Sequence, residues 1–101
     1  MDYLYFVVRT DVGIGRAMAQ AIHAMDIWAE AHGPHLGAVV VYEVPDEETL
    51  MRAIPRSGRT ELWREPDFND AATAFATDKG RLKLPLLGSK GKKHPKPKKP
   101  T

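Results

Sequence analysis

In the stretch GRAMAQAIHAMD, Gly15 to Asp26, the residues able to do chemistry are Arg16, Gln20 and His23. Steps of four and then three residues return to one side of a helix with about 3.6 residues per turn, so guanidinium, amide and imidazole form one polar file. Together they offer a fixed positive charge, a hydrogen-bonding amide and the side chain that exchanges protons nearest neutral pH. Ala17, Met18, Ala21, Ile22, Ala24, Met25 and Trp28 form a wide apolar face, expected to pack on the body of the protein. A polar file beside such a face meets either water or a ligand. Taken singly, His23 reads as a structural histidine, so the question is what the other elements bring to it.

Tyr3 to Thr10, YLYFVVRT, is aromatic and β-branched without a breaker, and its continuous apolarity predicts a strand at the centre of a sheet. Thr10 and Asp11 end it, and VGIG turns the chain. The helix from Gly15 stops near His32, where Gly33 suits a left-handed C′ position and Pro34 forbids continuation. Gly37 to Pro45 predicts a second strand, and Asp46 caps a short second helix in PDEETLMRAI, closed by Pro55 and Gly58. TELWREPD, Thr60 to Asp67, alternates as a third strand, and AATAFAT, Ala71 to Thr77, reads as a fourth. Leu82, Leu84, Leu86 and Leu87 are expected to hold the next segment on the body.

The order strand, helix, strand, helix, strand, strand predicts an α/β fold: a small four-stranded mixed sheet with helices packed on it. Its crossovers are parallel and right-handed, and its last pair is antiparallel. Ligands of such sheets sit beyond the carboxyl ends of the parallel strands. Parallel first and third strands put Asp67 at the same sheet edge as the start of the first helix, so a carboxylate meets Arg16 and His23 there. Asp67, before Phe68 and Asn69, is equally a natural turn residue.

The 101 residues, 43% of them hydrophobic, suffice for one domain with one core. The lack of cysteine excludes a disulfide framework, a thiolate metal site and a cysteine nucleophile. TDVGIGR lacks the third glycine of a dinucleotide fingerprint, His32 and His35 straddle a Gly-Pro turn without a further ligand, and GxSxG is absent. No cofactor and no metal are therefore expected. MDYLYFVVRTD is acidic where a signal peptide is basic, and no segment reaches transmembrane length, so no membrane partner and a cytoplasmic location are expected.

Charge is distributed unevenly. All 13 acids lie in residues 1–88, where nine Lys and Arg leave a net −4, whereas residues 89–101, SKGKKHPKPKKPT, carry six lysines and a net +6. With no large apolar side chain, this Lys/Pro-rich tail is expected to be a disordered arm beside a domain of residues 1–88. It suits contact with phosphates or another anionic surface, or serves as a solubilising terminus.

VVRTD, GRAMAQAIHA, VVVYEVPDEETL, and EPD followed by ATAFAT, in that order, resemble the type 2 peptidyl-tRNA hydrolase family over Tyr3 to about Asp78. Arg9, Asp11, Gln20, His23 and Ala24 match the family's first strand and helix, and PDEETL matches the start of its second helix. The family's helix-start lysine falls on Arg16, its aspartate after the third strand on Asp67, and its fourth-strand threonine on Thr73.

The resemblance implies a cofactor-independent hydrolase that cleaves the ester between a peptide and the 3′ end of tRNA, with peptidyl-tRNA as its partner. It implies catalytic roles for His23, Asp67, Arg16 and Thr73. Asp67 or His23 would hold the water, while Arg16 and the Thr73 hydroxyl would meet the developing oxyanion or the terminal phosphate. Gln20 and Asp11, with Lys90, Lys92 and Lys93 of the arm, are the expected substrate-binding residues. Two other readings stay open: a hydrolase-like module that binds RNA or a protein partner without turnover, and an interaction protein whose polar file is merely solvated. A homodimer stays open as an assembly.

Lysines bind phosphates through counterion release, which is salt-dependent and blind to sequence. Deleting Ser89 to Thr101 is therefore expected to raise KM for peptidyl-tRNA and flatten its salt dependence, with kcat nearly unchanged. An unchanged salt slope in steady-state assays counts against the arm.

Overall fold

A computed structural model describes residues 3–80 and 82–89 of the chain. The expected arm, with Lys90, Lys92 and Lys93, lies outside the described residues. The elements are β1 (Tyr3–Arg9), α1 (Ile14–His32), β2 (Ala38–Val44), α2 (Glu47–Ala53), β3 (Thr60–Glu65) and β4 (Ala71–Thr77), with a 3-10 turn at Pro66–Phe68. They build the expected α/β fold, a mixed sheet in the order β2-β1-β4-β3. Among the described residues no helix is long and apolar enough to cross a membrane.

β1 pairs in parallel with β2 and antiparallel with β4, and β4 pairs antiparallel with β3. β3 therefore runs in the direction of β1 without touching it, because β4 is inserted between them. The second crossover leads from one sheet edge to the other rather than to a neighbouring strand. The carboxyl ends of β1 and β3 nevertheless lie at one edge, where α1 begins, as expected.

The two faces of the sheet carry separate cores. Leu4, Phe6 and Val8 of β1 and Ala74 and Ala76 of β4 face α1, packing with Ala17, Ala24 and Trp28. Val7, Tyr42, Val44, Ala72 and Phe75 face α2, packing with Leu50. Alanines on both sides of the α1 contact keep side chains short, so the helix lies close to the strands. Leu82 and Leu84 join the α2-side cluster and Leu87 the α1-side cluster. Leu86 bridges Tyr42, and the Leu87 N–H donates to the Val41 carbonyl, so this segment covers part of the β2 edge.

α1 buries a narrower and differently centred stripe than its apolar residues predict. Ala17, Gln20, Ala24 and Trp28 are its buried residues, whereas Met18 and Ile22 are 56% and 64% exposed. Successive residues differ by about 100° around a helix, which carries Met18 and Ile22 past the contact line and brings Gln20 into it. One member of the polar file thus lies inside the protein. α2 is capped as expected, the Asp46 carboxylate accepting from the Thr49 N–H at 2.8 Å.

A register shift falls between Trp63 and Arg64: Trp63 pairs with Ala74 but Arg64 with Ala72, leaving Thr73 as the extra residue of a β-bulge. Strict alternation would turn Thr73 toward α2 with Phe75. The bulge turns it toward α1 instead, so that Thr73 and Ala74, adjacent in sequence, both face the helix. The β3 to β4 connection closes with Asn69 and Asp70 at φ of 55° and 60°, left-handed positions that asparagine and aspartate tolerate better than most residues.

Candidate active site

At the shared sheet edge Arg16, Gln20, His23, Glu65, Asp67 and Phe68 line an open cleft of about 460 Å³. α1 delivers the first three from its polar file, and the end of β3 with the following 3-10 turn delivers the others. His23 and Asp67, distant in sequence, thus border one cavity. The Arg16 guanidinium lies 5.6 Å from the centre of the Phe68 ring and, among the described residues, has no ion-pair partner. Asp67 is exposed on the rim.

The buried carboxylate of the cleft belongs to Glu65, only 9% exposed. The Asp67 N–H donates to its Oε2 at 3.3 Å and the Trp63 indole N–H to its Oε1 at 3.4 Å. The backbone N–H of Asp67 holds the Glu65 carboxyl below the ordinary carboxylate range of 4.5, against the opposing effect of partial burial. The Trp63 and Gln20 side chains act in the same direction as that N–H, as does the His23 ring when it is protonated. Glu65 is therefore ionised at neutral pH.

Gln20, 5% exposed, is held from behind. The Thr73 hydroxyl, fully buried, donates to its Oε1 at 2.9 Å, so the amide nitrogen is the end directed to Glu65. Thr73, expected to meet the oxyanion or a phosphate, does not line the cleft. The bulge points it into the α1 contact, and its proton goes to Gln20. Asp11, expected to bind substrate, is likewise outside the lining. Arg9 grips both its oxygens at 2.7 Å and also donates to the Ala72 carbonyl at 3.2 Å, so the pair ties the end of β1 to β4. Glu47 supports the same tie by accepting from the Ala72 N–H at 2.7 Å.

Three contributors are not among the expected site residues. Glu65 and Trp63, two residues apart on β3, share its helix-facing side, and the alternation of TELWREPD was the signal for both. Trp63 stacks on His23 with ring centroids 4.6 Å apart and planes 21° apart. Phe68 carried no sequence signal, since its place under Arg16 depends on the 3-10 turn.

A second cleft, of about 530 Å³, opens at the opposite end of the sheet beside Trp28, His32, His35, Arg59 and Asp78. Its charged groups satisfy one another: Arg59 pairs with Asp78 at 2.8 Å, and His32 with Glu61 at 2.9 Å. None of the residues selected from the sequence for catalysis or substrate binding lies there. Among the described residues no cluster of three His, Cys, Asp or Glu side chains stands at metal-binding spacing. No protein-family model matches the chain, and no curated protein matches it.

A carboxyl whose folded-state value is depressed contributes stability that is present above its unfolded value and lost as pH falls through the folded one. Glu65→Gln is therefore expected to lower the urea midpoint at pH 7 and to flatten its decline below about pH 4.5. An acid limb identical to that of the wild type contradicts the stated environment of Glu65.

Proposed function

We propose that the chain is a peptidyl-tRNA hydrolase, cleaving the ester between a peptide and the 3′ ribose of tRNA without a cofactor. The observation that carries this reading is the cleft in which an imidazole, two carboxylates and a guanidinium with no ion-pair partner among the described residues converge from α1 and the end of β3. The order of motifs resembling that hydrolase family adds support. The basic arm supplies an attachment for the tRNA backbone, and a cytoplasmic location accords with such a substrate.

Ester hydrolysis needs a positioned water, an acceptor for its proton and a donor for the charge that develops on the carbonyl oxygen. In the proposed reaction Asp67, exposed on the rim, orients the water, and His23 takes its proton as the oxygen attacks the carbonyl carbon. Arg16, spread over Phe68, meets the oxyanion. Collapse of the tetrahedral intermediate breaks the bond to the ribose oxygen, which receives the proton back from His23. Peptide carboxylate and tRNA leave.

Glu65 is a weak base because its donors hold it ionised. Its role is to stabilise the positively charged imidazole that forms during attack. Gln20 and Thr73 serve that role by fixing Glu65, which replaces the oxyanion contact expected of Thr73.

The experiment is release of N-acetylaminoacyl groups from tRNA. His23→Ala is expected to lower kcat by about 10²-fold to 10⁴-fold, and Glu65→Gln by about 10²-fold, with folding intact. Asp67→Asn is expected to cost less than either. Full turnover by His23→Ala refutes the mechanism. No turnover by the wild type, with tight tRNA binding retained, replaces the enzyme by a binding module.

A further inference from the structure

A catalytic imidazole is ordinarily oriented by a hydrogen bond to the nitrogen that does not face the substrate. Among the described residues neither ring nitrogen of His23 has a hydrogen-bond partner, so this chain orients the ring by other means. The contact present is a face: the Trp63 indole lies nearly parallel to the imidazole, with centroids 4.6 Å apart.

The same indole reaches the other half of the site through its edge, donating its N–H to Glu65 Oε1 at 3.4 Å. Trp63 is itself held, since its ring packs against the α1-side core. One side chain on β3 thus touches both a group on α1 and a group two residues along its own strand. From these contacts we propose that Trp63 is the positioning residue of the cleft. Its face sets the plane of His23 while its edge sets the Glu65 carboxylate, so that one rigid ring fixes the base relative to the charge that stabilises it.

Tryptophan suits this double contact for a physical reason. The indole offers a broad π-face for a neutral or a charged imidazole, and its single polar atom is a donor at the rim, directed in the ring plane. Phenylalanine keeps the face and loses the donor, and leucine loses both. The two functions are therefore separable by substitution.

The inference rests on the preceding reading for its catalytic consequence, but the coupling itself is measurable without turnover. In Trp63→Phe the Glu65 carboxyl, followed by ¹³C NMR, is expected to titrate at higher pH than in the wild type, because one donor to the ionised form is gone. In a Trp28→Phe background the Trp63 emission is expected to change in intensity and wavelength on His23→Gln, because the ring stacked on the indole is gone. In release assays Trp63→Phe is expected to lower kcat by about 3-fold to 10-fold and Trp63→Leu by about 30-fold to 100-fold, each with KM nearly unchanged.

An unmoved Glu65 titration in Trp63→Phe, or an emission spectrum indifferent to His23→Gln, overturns the proposal. So does full kcat in Trp63→Leu. If Trp63→Leu does not fold, Trp63→Phe and the emission experiment decide. A wild type that releases nothing, with both spectroscopic couplings present, refutes the hydrolase reading and leaves the coupling standing.

Discussion

A carboxylate withdrawn from water must be met by donors, and at Glu65 that requirement organises the end of the sheet. Three separate features of the chain act on it. The 3-10 turn that Pro66 begins presents the Asp67 N–H and the alternation of β3 presents the Trp63 N–H, each as a hydrogen-bond donor, while α1 directs the Gln20 amide toward it. The Gln20 contact depends on a fourth feature, the bulge that turns Thr73 into the helix contact. Losing any of these leaves a buried charge short of a partner, which costs more than the hydrogen bond itself is worth.

The rest of the fold keeps that end open. On the α2 side, Arg9, Asp11 and Glu47 tie the end of β1 to β4, a polar clamp that uses its own charges internally. On the α1 side, short alanine contacts bring the helix down on the strands, and the cleft lies where α1 meets the end of β3. Arg16 stands at the rim over the Phe68 ring, with no ion pair among the described residues. Charge is thus satisfied within the α2-side clamp, whereas on the α1 side Arg16, Glu65 and Asp67 border one open cleft.

Much of this was legible in the residue pattern, for identifiable reasons. Continuous apolarity marked β1 as central, Gly33 and Pro34 ended α1, Asp46 capped α2, and the direction of β3 followed from its helical crossover. The insertion of β4 between β1 and β3 was not legible, because a short link permits a hairpin without saying where the hairpin docks. The bulge at Thr73 was hidden in a run of small residues, AATAFAT, that carries no breaker. Without it Thr73 and Gln20 looked like independent site residues instead of two links behind Glu65. Asp67 stands in a turn signature, whereas the burial that distinguishes Glu65 is invisible in one dimension.

In the proposed function the cleft between α1 and the end of β3 receives the 3′ end of an acylated RNA. That binding is tested most directly by titrating the isotopically labelled protein with a short RNA stem whose 3′ ribose carries an acetylated amino acid through a non-hydrolysable amide. The largest NMR shifts are expected at the Trp63 indole N–H, the Gln20 amide and the Arg16 and His23 side chains. Shifts confined to Trp28, His35 and Arg59 at the opposite end of the sheet, with the α1 cleft unmoved, would contradict it.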